Sequence, residues 1–180
     1  MLHSLALPTY QSVKHLEGKG YAVKKYYQFP YFFFYRKKLS MMLEYLEPGR
    51  IYSSILDFGC GKAHILETSL KRSAFDVHSI DKNDKLPRKK YEVIVCGSVL
   101  EFTNLKETIL KLKSMLDKRG ILIVSSPMRN WVTSLYFSAI GDHSIRNTHI
   151  EIMDELKKHF RVSDYKEWNG LYFCAKMRMK

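Results

Sequence analysis

The stretch Ser54–Leu66 limits the fold more than any other part of this 180-residue chain. Ile55 and Leu56 end an apolar strand, Asp57 follows, Gly59 and Gly61 are spaced by one residue, and Ile65 and Leu66 open an apolar helical period. Glycines let the backbone turn sharply and approach a ligand closely, and open N–H groups at a helix start favour a negative group. A strand, a glycine turn and a helix in this order form the corner on which an open α/β sheet holds a nucleotide-like molecule. Spacing narrows the choice. A dinucleotide fingerprint needs a third glycine where His64 stands. A phosphate loop needs Ser or Thr after Gly-Lys, but Ala63 follows Lys62, and Leu56 stands where its first glycine belongs.

The rest of the chain supplies a sheet around that corner. Phe75–Ile80 alternates and ends in Asp81, Tyr91–Cys96 is a continuous apolar strand, and Ile121–Ser125 is another. Between them, Asn104–Leu116 reads as a helix with Leu105, Ile109, Leu112 and Leu116 on one face and Gly120 beyond it. Strands alternating with helices imply a mainly parallel, doubly wound α/β sheet with right-handed crossovers. A helix over His149–His159 and strands over Arg161–Tyr165 and Leu171–Met177, turned near Asn169-Gly170, complete the chain. Thr148, His149, Ile150 and Glu151 read as a capping box, which puts His149 in the first helical turn, where its neutral form is favoured.

The pattern Leu56-Asp57-Phe58-Gly59-Cys60-Gly61 resembles the first motif of the class I S-adenosylmethionine-dependent methyltransferases, with Ala63 in place of a third glycine. Tyr91–Cys96 followed by Gly97-Ser98-Val99-Leu100-Glu101 is similar to that family's fourth-strand region, with Glu92 in place of the usual aspartate and Phe102 in place of a histidine. The likeness spans Ile55–Pro127 and implies an antiparallel last strand in the sheet. Only nine residues separate Asp81 from Tyr91, too few for the usual helix and third strand, so that edge is expected to be trimmed. The resemblance implies S-adenosylmethionine as cofactor, bordered by Asp57, Phe58, Gly59, Cys60, Gly61, His64, Asp81, Lys82, Cys96, Gly97 and Ser98. Asp81, 20 residues beyond Gly61, is the acid placed for ribose hydroxyls. Methyl transfer requires an aligned nucleophile and, for some acceptors, a base, for which Asp142, His143 and His149 are the candidates after the fifth strand.

The acceptor is less constrained. No Asn-Pro-Pro-Tyr-like run follows the fourth strand and no Pro-Cys pair occurs, which argues against amino methylation of adenine or glutamine and against pyrimidine carbon methylation. Tyr26–Tyr35 holds 8 of the chain's 24 aromatic residues between basic flanks, then continues as a helix bearing Leu39, Met42, Leu43 and Leu46 that ends before Pro48. Residues 1–50 are therefore expected to form an aromatic, basic helical cap on or over the site, and residues 51–180 the methyltransferase domain. This arrangement suits a small-molecule or lipid-like acceptor. The net charge of +12, spread along the chain, admits nucleic acid or a membrane surface as partner, with RNA methylation or a non-catalytic cofactor-holding scaffold as alternative functions. Three scattered cysteines define neither a disulfide framework nor a zinc site, and no metal is expected. With no secretory signal and no apolar run of roughly 20 residues, the sequence predicts a soluble cytoplasmic protein with at most peripheral membrane contact. It says nothing of oligomeric state.

Overall fold

The computed structural model describes residues 31–61, 66–81, 84–140 and 147–180. In chain order they form α1 (Tyr31–Leu43), β1 (Ile55–Phe58), α2 (Glu67–Leu70), β2 (Val77–Ile80), β3 (Tyr91–Gly97), a 3₁₀ turn (Leu100–Phe102), α3 (Leu105–Met115), β4 (Leu116–Pro127), α4 (Trp131–Ile140), α5 (His149–His159), β5 (Phe160–Trp168) and β6 (Tyr172–Met179). The six strands make one sheet in the order β2-β1-β3-β4-β6-β5. β2, β1, β3 and β4 run parallel, and β6 enters antiparallel between β4 and β5. The chain leaves β1 for one side to make β2 and returns to the other to make β3. The strand order therefore reverses between β1 and β3, and the crevice for a ligand opens at their carboxyl ends. As expected from the short connector, β2 is the sheet's edge among the described residues.

Alternate residues of each central strand face opposite layers, which is why these strands read as unbroken apolar runs. Ile94, Cys96, Leu122 and Val124 meet α3 and α5 through Ile109, Leu112, Ile152 and Leu156. Val93, Val95, Ile121 and Ile123 meet α1 and α2 through Leu39, Met42, Leu43 and Leu70. The second half of α1 is thus core, and the Tyr45 hydroxyl beyond it donates to the Cys174 carbonyl at 3.1 Å. Asn104 caps α3 by accepting from the Glu107 N–H. Thr148 and Glu151 close a reciprocal capping box on α5. Asn169 and Gly170, at φ 47 and 64, make the left-handed two-residue turn that matches strand twist in the β5–β6 hairpin.

Two local expectations shift. Phe75 lies outside β2 and is exposed, so the strand begins at Val77. Leu116–Gly120, which the sequence leaves between a helix end and the Ile121 strand, is an irregular start to β4: Tyr91 faces Leu116 but Val93 faces Ile121. The extra residues bulge outward, with the Arg119 N–H donating to Asp117 Oδ1 at 3.0 Å. Gly120 closes the bulge because a Cβ there would lie 2.9 Å from the Glu92 carbonyl oxygen.

Candidate active site

The glycine corner and the end of β2 are tied together. The N–H groups of Gly59 and Cys60 both donate to the Ile80 carbonyl, at 2.7 and 3.1 Å, which brings Asp81 beside the corner. Gly59 has φ 78, and a Cβ there would overlap the Val99 side chain. Gly61 has φ 61 with open space where its Cβ would be, so its backbone is free to be approached. Asp57 is buried, yet among the described residues its Oδ2 has no hydrogen-bond partner. Burial chiefly, then the charge of Glu67, pushes its carboxyl up to about 7 against the pull of Lys38.

The opposite wall rises from β3. Gly97 is held close by α1, since a Cβ would lie 2.7 Å from Met42 Cε. Ser98 adopts φ 57, a conformation that L-residues other than glycine rarely take, and its N–H donates to the Ser125 carbonyl at 2.8 Å. Its Oγ accepts from the Lys38 ammonium at 2.9 Å. Lys38 is buried, its ammonium 5.9 Å from the centre of the Tyr172 ring. Burial depresses its pKa, while the charges of Glu101, Cys174 and Asp57 oppose that effect. Glu101 is buried too and raised by burial, with Ser126 Oγ donating to its Oε2 at 3.2 Å. Asn147 braces this wall by donating from Nδ2 to the Leu100 and Thr103 carbonyls, both at 2.7 Å, and from its N–H to the Glu101 carbonyl at 3.1 Å.

The structure gathers Asp57, Gly59, Gly61, Asp81, Gly97 and Ser98 at one crevice. Asp81 is half-buried, and its N–H donates to Asp84 Oδ2 at 2.7 Å. Phe58 and Cys60 are also half-buried there. Burial, with the charges of Asp57, Asp81 and Asp84, pushes the Cys60 thiol up to about 12, so it stays protonated. The Cys96 side chain turns away into the α3–α5 layer. His149 sits in the first turn of α5, its Nδ1 accepting from the Arg129 N–H at 3.0 Å, two residues beyond the end of β4. His64, Lys82, Asp142 and His143 lie outside the described residues. Among the described residues no three His, Cys, Asp or Glu side chains are grouped as a metal site.

Sequence reasoning missed Lys38 and did not assign Glu101 a role. Lys38 carries a readable signal: it stands within the apolar stripe of α1, beside Leu39 and four residues before Met42, where a charge has to be buried. Glu101 looks like an ordinary motif residue, and only the fold shows both carboxylate and ammonium facing the same crevice walls.

The sheet order, the antiparallel β6 and the crevice between β1 and β3 define a class I methyltransferase fold. A profile described as "Methyltransferase domain" matches residues 28–166, and the chain belongs to that family. Solved structures agree on the fold. N-methyltransferase NodS from Bradyrhizobium japonicum WM9, crystallised with S-adenosyl-L-homocysteine, is 13% identical at TM-score 0.66, covering 94% of this chain and 97% of that one. Geranyl diphosphate C-methyltransferase from Streptomyces coelicolor A3(2), in complex with Mg2+, geranyl diphosphate and S-adenosyl-L-homocysteine, is 10% identical at TM-score 0.61, covering 81% and 80%. Magnesium protoporphyrin IX methyltransferase from Synechocystis PCC 6803, with bound S-adenosyl-L-homocysteine, is 14% identical at TM-score 0.55, covering 79% and 82%. No curated protein sequence matches the chain.

Proposed function

We infer that this chain is an S-adenosylmethionine-dependent methyltransferase whose acceptor is a small molecule or lipid-like compound entering beside α1. The observation that carries the cofactor assignment is the buried Asp57 Oδ2, which lacks a partner among the described residues and suits the ammonium of an amino-acid moiety. Gly61 leaves room for close backbone approach, and Asp81 is the acid for the ribose hydroxyls. When bound, the cofactor supplies an electrophilic methyl group on sulfonium. The chain's own part is to align the acceptor, exclude water and remove a proton where the nucleophile carries one.

For that proton, Asp142, His143 and His149 are the candidates. In neutral His149 the Nδ1 accepts from Arg129, so Nε2 carries the hydrogen and acts as a donor that orients an acceptor oxygen or nitrogen. Asp142 and His143 are then the candidates for taking a proton. The small-molecule reading draws support from the neighbours named above: one is a geranyl diphosphate C-methyltransferase and another a magnesium protoporphyrin IX methyltransferase. It also draws support from the aromatic contacts at the start of α1, where Phe33 and Phe34 lie 5.8 and 5.5 Å from the Trp168 ring centre.

Calorimetric titration of the full chain with S-adenosylmethionine tests the reading. Saturable binding that weakens at least tenfold in Asp81→Ala is expected, from the loss of hydrogen bonds to a charged acceptor. No heat with the intact chain, or equal affinity in Asp81→Ala, would overturn it.

A further inference from the structure

α4 has the composition of a buried helix, yet much of it faces solvent. Trp131–Ile140 contains no charged residue, and Trp131 and Leu135 are 75% and 63% exposed. These two stand four residues apart, with Val132 exposed beside them, so they form one face of the helix. The opposite side is anchored. Buried Thr133 donates through its N–H to Asn130 Oδ1 at 2.9 Å and through Oγ1 to the Met128 carbonyl at 2.5 Å.

A second apolar group lies across the β5–β6 turn. Phe33 is 62% exposed and touches Trp168, whose carbonyl accepts from the Leu171 N–H, while Asn130 at the head of α4 donates to the Gly170 carbonyl. Phe33 shares its helix face with Arg36 and Lys37, three and four residues on, and Arg129 precedes α4. Glu44, just past the end of α1, pairs with Lys166 at 3.2 Å. Exposed Trp131 and Phe33, each within a few residues of cationic side chains on a chain of net charge +12, suit an interface with apolar chains beneath and anionic head groups above.

We propose that the rim formed by α4 and the exposed start of α1 docks on an anionic lipid bilayer. The rim lies at the carboxyl end of β4, the same end of the sheet as the crevice, so docking turns the crevice mouth toward the membrane. The reason for docking rests on the lipid-like acceptor proposed above, whereas the docking itself requires neither cofactor nor acceptor.

Co-sedimentation of the full chain with phosphatidylcholine vesicles, with and without phosphatidylserine, tests this directly, with cofactor calorimetry on the same samples. Binding to the phosphatidylserine vesicles is expected, weakened by salt. It should fall at least tenfold in Trp131→Ser/Leu135→Ser and, independently, in Arg36→Glu/Lys37→Glu, while both variants bind S-adenosylmethionine as the parent does. If cofactor binding fails in the parent as well, vesicle binding with both variant losses still upholds docking and only the methyltransferase reading falls. Three results would overturn docking. They are no binding to phosphatidylserine vesicles, vesicle binding unchanged in both variants, and a dimer in sedimentation that the Trp131→Ser/Leu135→Ser change dissolves, which would assign the rim to a second copy.

Discussion

At the amino ends of β1 and β3, Arg50 forks between Glu47 and Glu92 at 2.9 and 2.5 Å, and Glu92 also accepts from the Ser53 N–H and hydroxyl. At the carboxyl ends of the same strands, Lys38, Asp57 and Glu101 are buried, and Asp57 Oδ2 lacks a partner. The first cluster is solvated and satisfied, so removing a member changes little. The second holds ionisable groups in a medium that disfavours their charge, and burial moves all three toward their neutral forms. A sheet has no structural need for such an arrangement. Among the described residues, its presence at the carboxyl ends and not the amino ends marks that side of the sheet as the candidate ligand site.

Substitutions at the two ends probe that contrast. The largest effect is expected at Asp57. A buried carboxyl raised from an ordinary value near 4 to about 7 weakens the folded state as pH climbs through that window, by up to about 4 kcal/mol above it. Asp57→Asn is therefore expected to melt higher than the parent at pH 8, with the gain shrinking as pH falls and vanishing below about pH 4, while affinity for S-adenosylmethionine falls about tenfold to a hundredfold. Thermal melts across pH combined with calorimetry measure both. A variant that loses stability at pH 8 would show that Asp57 is structural.

Gly59→Ala is next, since it combines positive φ with overlap against Val99 and should lose about 3 kcal/mol in denaturant unfolding. Gly61→Ala, with open space around it, is its control and should lose only about 1 kcal/mol. Lys38→Met keeps the stem and removes the ammonium, leaving Glu101 buried without its nearest cation. A loss of about 2–3 kcal/mol at pH 8, shrinking at lower pH as Glu101 takes up a proton, is expected from chemical denaturation. Adding Glu101→Gln should restore the stability but not the enzymatic rate; recovery of both would make the pair a structural one. At the amino ends, Arg50→Ala should shift unfolding by less than about 1 kcal/mol, and less still in high salt.

Much of this architecture was legible from periodicity and caps. The capping box fixes α5 at His149–His159, Asn169-Gly170 sets the closing hairpin, and the nine-residue connector foretells the missing edge strand. These are local signals whose causes lie within a few residues of their effects. The candidate site is legible where it shares that property, as at Asp57–Gly61 and at Asp81, which closes its strand. Lys38 and Glu101 are 63 positions apart and converge because α1 packs across β3 and β4, a contact no local pattern encodes. The role of Gly97 likewise depends on Met42 arriving from that helix, and the inward turn of Cys96 depends on which residues of β3 pair with β1.

The place of β6 affects how the fold is reached. It pairs with β4 along Ile121–Pro127 and with β5 along Phe160–Trp168, so an interior strand of the sheet is the last described one to leave the ribosome. Until Tyr172–Met179 arrives, β4 presents an open apolar edge, and neither layer of the core is complete, since Phe173, Ala175 and Met177 belong to one and Cys174 to the other. Such an edge is open to pairing with other chains. The nascent chain is therefore exposed to aggregation during the interval before β6 is inserted.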